Sequence, residues 1–470
     1  MTRLADLPIH LSSALRRAFS QFLALPLAVV TGFVVLTAVM YQADRAWSAG
    51  RVPAGFAWVG QLLGDSTSLA TLLSTIASSI ITVTSITFSL LLVALQQGSS
   101  ALTAQVTDQF LMRKVNQFYF GYFVGLSLFV LFSLATASAV HRPVFGTMLS
   151  IVLTSVALCM IVVMIYNTID QMRPSQIIRT IHRHVLRARA AELALLSTTR
   201  RTPRPDWVML ATLRSREAGH IRAVNVAGLK AAIQAIGCGE IEAQLVMPLG
   251  RYTAFGDPVA ILRTPAGAGP APLARLETAV LDALTFSDDR DLRQDCAYGI
   301  DQLANIAWTS ISTAKSNPNP GQAVVQSLRD IVSRWCAEGG EAAGDPDAIL
   351  VLADLALDEA LTALEQIILV SSESIQAQTL ADALRTVSIL LSTTQGHCRL
   401  RLGDIARRAL SSLGEHVLTS RLESALDALG SALDADGQER NGDAVRAATT
   451  GLRSTLGVLN SRSTRVPERA

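Results

Sequence analysis

The chain has 470 residues, 50% of them hydrophobic and only 17% charged, with five cysteines and a net charge of +2. A soluble globular protein carries about 25% charged residues, so the composition points to a membrane, and the near-neutral balance gives no reason to expect nucleic acid as a partner. Charge is also unevenly placed: the first ~170 residues hold little of it, and the remainder has the density of a soluble protein.

A transmembrane helix needs about 20 mainly apolar residues, and four stretches qualify. The first runs from about Phe22 to Tyr41, between Arg16 and Arg17 on one side and Asp44 and Arg45 on the other. It is too long for a signal-peptide core. The second, about Leu72 to Gln96, lies inside a run from Ser66 to Thr107 with no charged residue. The third spans about Gln117 to Val140 and the fourth about Val144 to Ile169. Only His141, Arg142 and Pro143 separate these two, which predicts a tight antiparallel hairpin. No acidic or basic side chain is expected inside any span, which argues against proton-coupled transport and charge-ring selectivity. Arg3, Arg16 and Arg17, then Arg113 and Lys114, then Arg173, Arg179, Arg183, Arg187 and Arg189 fall on one side of a four-span layout. The positive-inside rule places that side, and both termini, in the cytoplasm.

Within the second span Thr71, Thr75, Ser78, Thr82, Ser85 and Ser89 are spaced 4, 3, 4, 3 and 4, a heptad seam of hydroxyls on one helix face. Leu72, Ile76, Ile80, Val83, Ile86 and Leu90 fall roughly on another face. Two readings stand. Small hydroxyl residues let helices pack closely and bond one another. Alternatively, copies of the helix surround a wet path, with Leu92 and Val93 as a hydrophobic gate. In the third span Gly121 and Gly125 form a G-x-x-x-G suited to close helix packing, beside an aromatic belt from Phe118 to Phe123.

Beyond Asp170 the stretch "RPSQIIRTIHRHVLRARAAELALL" is a basic amphipathic helix. Arg179, Arg183 and Arg187 recur every four residues, and Ile178, Ile181 and Val185 take the apolar face. Such a helix suits anionic lipid headgroups or a solvated exit from the membrane. "TTRRTPRPDW" reads as a linker. Strand and turn signals then mark a small module, with "GHIRAVN", "EIEAQLVM" and Val259–Leu262 as strands and "VAGLKAAIQAI" as a helix. Its turn spacing is similar to half of a biotinyl/lipoyl-type module, but Lys230 sits in the helix, so no cofactor tether is expected. From Ala271 onward the periodicity is helical. "SDDRDLRQD", with Asp288, Asp289, Asp291 and Asp295, reads as a charged interhelix turn, since Arg290 and Arg293 offset it. Cys159, Cys238, Cys296, Cys336 and Cys398 include no C-x-x-C pair and fit reduced thiols. No metal, cofactor or catalytic constellation is expected, and the chain is not read as an enzyme.

"TLLSTIASSIITVTSITFSLLLVALQQGSSALTAQVTDQFLMRKVNQFYFGYFVG", "VMPLGRYTAFGDPVAILR" and "RDLRQDCAYGIDQLANIAWTSIS" together resemble, in that order, a bacterial family of predicted membrane proteins built on a domain of unknown function. The resemblance implies four spans, a bacterial inner membrane and a large cytosolic region, and it supplies no activity. This chain departs from the family in two places. "STAKSNPNPGQA" replaces a segment like Ser-Pro-Ala-Ile-Asn-Asp-Pro, and Asn167 and Thr168 stand where a histidine pair is usual.

The expected architecture is a helical membrane protein: four spans over 1–170, a basic juxtamembrane helix and linker over 171–217, a small α+β module over 218–265, an all-α cytoplasmic domain over 266–458, and a disordered tail over 459–470. The expected role is an oligomeric channel or conduit with the second span lining the path, its partners being the bilayer and further copies of itself. The alternative is a sensor or scaffold that signals to a cytosolic protein.

Overall fold

The computed structural model describes residues 23–49, 66–101, 113–138, 142–171, 173–237, 240–267, 271–312, 317–337, 344–411, 413 and 416–454. Expectations placed on Arg3, Arg16, Arg17, Phe22, His141, Cys238 and the 459–470 tail lie outside these residues. The chain divides into two compact units, Met1–Gln176 and Ile177–Ala470.

The first unit is built from four helices, α1 (Ala24–Ser48), α2 (Ser66–Ala101), α3 (Lys114–Ala135) and α4 (Val144–Gln171). Each includes a stretch long and apolar enough to cross a membrane. Helix α3 is the centre of this unit and packs against the other three, burying Phe123, Leu126, Phe129 and Val130. Its glycine pair faces α1. A Cβ at Gly121 would lie 2.9 Å from the Pro26 backbone, and one at Gly125 only 2.4 Å from the Phe33 ring. The close approach lets Phe33 make edge contacts with Tyr122 and Phe129, the geometry that aromatic quadrupoles favour.

Helix α2 extends beyond both ends read for the second span, from Ser66 to Ala101, and boundaries of α3 and α1 differ as well. Helix α3 ends at Ala135, so residues 136–143, not three residues, join it to α4. At the break the Thr136 hydroxyl bonds the Ser133 carbonyl, the local competition that makes Thr and Ser poor helix interiors. Helix α1 runs past Tyr41 to Ser48, so a spanning helix does hold a carboxylate. Asp44 is 2% exposed and accepts hydrogen bonds from the backbone N–H of Phe145 (2.7 Å) and Gly146 (3.1 Å). Those donors belong to the first turn of α4 and have no partner within it, and a negative group there also meets the positive end of the helix dipole. Trp47 on Phe145 and Leu69 beside Val144 close the same end of the bundle.

Helix α5 (Pro174–Leu196) carries the chain into the second unit. There β1 (Trp207–Arg214), β2 (Gly219–Val224), helix α6 (Val226–Ile236), β3 (Glu242–Leu245), β4 (Tyr252–Thr253), β5 (Pro258–Pro265), helix α7 (Leu273–Asp282), β6 (Leu284–Ser287) and, later, β7 (Leu350–Val351) form two sheets. Their strand orders are β1-β5-β3-β7 and β4-β2-β6. All pairings are antiparallel except β3 with β7. The two sheets, with the interleaved helices and one parallel pair, replace the half-barrel suggested by the turn spacing. Asn225 and the left-handed Gly237 end α6 as the sequence signals require. Leu196, Ile221, Leu229, Leu262 and Leu276 form the shared core.

The strands thus extend from 207 to 351, wider than the expected 218–265. β1 lies in the segment read as linker, where Arg200 also bonds the backbone of β7. β6 and β7 lie in the stretch read as all helical, because their short apolar runs continue the neighbouring helical pattern. The remaining helices are α8 (Cys296–Ile311), α9 (Pro318–Ala337), α10 (Ala356–Glu373), α11 (Ala377–Thr393), α12 (Gly396–Leu410), α13 (Ser420–Ala435) and α14 (Glu439–Ser454).

Candidate functional site

In the first unit the inward face of α2 is Leu69, Leu73, Ala77, Ile80, Thr84 and Thr87, all buried. The hydroxyl seam lies elsewhere on the helix. Thr71, Thr75, Ser78, Thr82, Ser85 and Ser89 are all exposed, turned away from the chain's own bundle. Four of the six bond the carbonyl one turn back: Thr71 to Thr67 (2.9 Å), Thr75 to Thr71 (2.9 Å), Thr82 to Ser78 (2.8 Å) and Ser89 to Ser85 (3.0 Å). Bonds made to the same helix leave these hydroxyls satisfied in lipid or in water. Leu92 (65%) and Val93 (49%) continue the exposed surface toward Gln96. The apolar face expected of Leu72, Ile76, Ile80, Val83 and Ile86 splits, with Ile80 buried and Ile86 outside. Asn167 donates to the Tyr119 hydroxyl at 3.2 Å, and Thr168 bonds the Met164 carbonyl.

In the second unit Arg179, Arg183 and Arg187 are exposed on α5, while Ile177, Ile178, Ile181, Val185 and Ala188 are buried. That apolar face is occupied by protein. Val185 sits on α8, where a Cβ at Gly299 would lie 2.3 Å from it, and His182 bonds Ser327 and Asp330 of α9. That face is therefore not available to lipid, and Arg179, Arg183 and Arg187 lie on the opposite, exposed side.

Arg189 breaks the every-four series and falls inside, on the row of Val185. It forms a two-pronged bond with Asp354 (2.8 and 2.6 Å), a third bond with Glu192 (3.0 Å), and lies over the Trp335 ring. Burial works against its charge, but the bond and charge of Asp354, then Glu192, hold its pKa above the ordinary value. Glu192 in turn accepts from the Cys296 thiol at 2.9 Å. Burial first, then the Glu192 charge, pushes that thiol well up, so it stays protonated and is no nucleophile.

Beside this network a cleft of about 280 Å³ opens between α5, β2, the Leu249–Gly250 turn and residues 289–297. A smaller cavity of about 60 Å³ adjoins it, sharing Glu192, Leu249, Arg290 and Ala297 and adding Arg251, Asp301 and Glu359. Arg290 is the hub. It bonds Asp295 (2.7 and 3.1 Å) and Asp301 (2.8 Å) and stacks on Tyr298. Asp295 also caps α8 by accepting from Tyr298 N–H. Gly250, at φ +80°, is required: a Cβ there would lie 2.1 Å from the Asp295 carboxylate. Burial, then the Asp301 charge, raises the Glu359 pKa.

The acidic run is therefore a strand-to-helix turn, not an interhelix one, and two of its charges organise a cleft. The segments 246–263 and 290–312 meet there, although they are far apart in sequence. Sequence reasoning missed Arg189, Glu192 and Asp354; the only signal was that Arg189 falls out of register with the exposed arginines. Among the described residues no group of three or more His, Cys, Asp or Glu side chains is placed to hold a metal ion.

A sequence-family model described as "Predicted membrane protein (DUF2254)" matches residues 20–386. Neither the curated proteins nor the solved structures contain a match to this chain.

Proposed function

The chain belongs to the DUF2254 family of predicted membrane proteins, and from that premise we propose that it forms an oligomeric conduit in a bacterial inner membrane. Copies of α2 line the path, and both termini are cytoplasmic. One observation carries the reading: all six hydroxyl residues of the seam are exposed and turned from the chain's own helices. A heptad seam is the spacing at which helices pack on copies of themselves, and hydroxyls that line a shared axis can face water. Leu92 and Val93 then form an apolar constriction that closes by dewetting. The basic residues Arg113 and Lys114 at the start of α3 and Arg173 after α4 support the orientation.

Single cysteines at Ser78, Thr82 and Ser85, in a background with the native cysteines changed to serine, test this. They are expected to react with a membrane-impermeant thiol reagent, and Leu92→Ser is expected to raise conductance in planar bilayers. Unreactive positions together with electrical silence in both proteins would sink the conduit.

The charged cleft favours a second reading, a membrane-anchored sensor that passes a signal to a cytosolic partner. Glu192, Asp289, Asp291 and Asp295 outnumber Arg222 and Arg290 around it, which suits a small cationic or zwitterionic ligand. A panel of amine-bearing metabolites would be screened by thermal shift. A hit lost in Leu249→Trp supports the sensor, and no hit removes its motive.

A further inference from the structure

Cys336, in the last turn of α9, and Cys398, in the first turn of α12, lie 62 residues apart in sequence, yet their sulfurs are 3.6 Å apart. Cys398 is buried and Cys336 half-buried, so the pair is reached from the Cys336 side. A disulfide has S–S of about 2.05 Å, so closing this contact takes a movement of only about 1.5 Å. The other described cysteines lack such a neighbour: Cys159 is exposed on α4, and Cys296 is held by Glu192.

We propose that Cys336 and Cys398 are an oxidisable dithiol, converted by hydrogen peroxide to an intrachain disulfide that clips α9 to α12 and is reopened by small thiols. The proposal rests on the sulfur–sulfur contact and is independent of the conduit reading. Cys398, which accepts the Cys336 S–H and stands in the first turn of α12, is assigned as the sulfur that reacts first. The S–H that Cys336 donates toward it lowers the Cys398 pKa, and the same bond raises that of Cys336; a helix N-terminal turn adds to this preference for a thiolate. Its sulfur attacks one peroxide oxygen. An S–O bond forms, the O–O bond breaks, and the departing hydroxide takes a proton to become water. The Cys336 sulfur then attacks the sulfenic sulfur of Cys398. The S–S bond forms, the S–O bond breaks, and the hydroxyl leaves as water with the Cys336 proton. The two sulfurs lose two electrons, and one peroxide becomes two waters. A disulfide made in a reducing compartment is of the transient, regulatory kind.

The full-length protein in detergent micelles would be titrated with hydrogen peroxide, denatured in N-ethylmaleimide, digested without reductant and mapped by mass spectrometry. The Cys336–Cys398 peptide is expected to become the dominant cross-link and to vanish with dithiothreitol, while Cys296 stays alkylated. In Cys336→Ser, Cys398 is expected to be trapped by dimedone as the sulfenic acid. In Cys398→Ser, oxidation of Cys336 should slow at least ten-fold. The proposal is overturned if wild type gives no such cross-link at peroxide concentrations that oxidise its other cysteines. It is equally overturned if Cys336 oxidises as fast without Cys398 as with it.

Discussion

Helix α2 sets its hydroxyl seam outward, and four of the six seam residues bond the carbonyl one turn back in the same helix. Helix α5 does the reverse with Arg189, which is turned inward and finds Asp354 at a separation of 165 residues. A hydroxyl satisfied within its own turn is indifferent to what surrounds it. A buried guanidinium is not, because its charge and its donors must be met by groups the rest of the fold delivers. The first arrangement leaves a face open for another occupant, and the second fixes how distant segments come together. Asp44 shows that the membrane unit uses the second device too, tying α1 to the first turn of α4.

The sharpest way to break this contrast is to remove the inward charge. Arg189→Met leaves the nearly buried Asp354 and the partly exposed Glu192 without their cation, and breaking a buried pair in this way costs up to about 3–5 kcal/mol. Urea unfolding of the full chain in micelles, followed by Trp335 fluorescence, is expected to show that loss. The double variant Arg189→Met/Asp354→Leu should recover much of it. A single variant within about 0.5 kcal/mol of wild type, the range of ordinary surface changes, would mean the pair is incidental.

In the membrane unit the expected losses are smaller. Gly125→Val places a methyl-bearing carbon where the Phe33 ring already stands 2.4 Å from a Cβ, and overpacking of this kind costs about 1–3 kcal/mol. Asp44→Ala uncaps α4 at a cost of about 0.5–2 kcal/mol. Thermal unfolding in micelles should rank Gly125→Val at or below Asp44→Ala, with both below wild type. If Asp44→Ala were silent, α1 and α4 would be joined by apolar contact alone.

Acid provides a gentler perturbation of the second unit. His182 and His184 both have lowered pKa values, burial being the main cause, so the folded state prefers them neutral. The unfolded chain takes up protons near the ordinary value of 6.5 and the folded chain only below it. Their contribution is thus complete above 6.5 and is lost as pH falls through the lowered folded values. Glu359, raised by burial, acts with the opposite sign, favouring the fold below 4.5 and losing that as pH rises through its folded value. The urea midpoint is expected to fall between pH 7.5 and 5.5 in wild type and to flatten in His182→Asn/His184→Asn. An equal fall in both would assign the effect to other groups.

The same contrast explains what was legible in the sequence. Four helices were visible because apolar length is a local property, and the α2 seam because its spacing is. Asp44 read as a flanking charge because its partners lie 101 and 102 residues away. Glu242, a charged residue in the expected strand "EIEAQLVM", is fully buried, accepting from the Arg204 N–H and facing Arg200. Alternation tells which face a strand residue takes, but not whether that face is covered. The apolar strand β6 continued a helical pattern without a break, and β1 was hidden between prolines and arginines. The cleft could not be read at all, since Gly250, Arg290 and Glu192 meet only after the sheet and helices are assembled.

The smallest predicted effect on stability bears most directly on the open face of α2. Thr82→Val keeps the shape of the side chain and removes a hydroxyl that is exposed and bonded only to Ser78 of its own helix. The bond holds little that the chain's own fold depends on, so unfolding of the dilute protein should move by no more than about 0.5 kcal/mol. The same holds for Thr75→Val, whose hydroxyl bonds Thr71. If copies meet along this seam, however, two added methyl groups on the contact face change their spacing. Cross-linking in native membranes should then weaken in Thr75→Val/Thr82→Val while the fold stays intact. Stability and self-association falling together would place the seam against some element of the chain's own fold. Both remaining unchanged would mean that lipid covers the seam, and that its hydroxyls do no more than satisfy themselves.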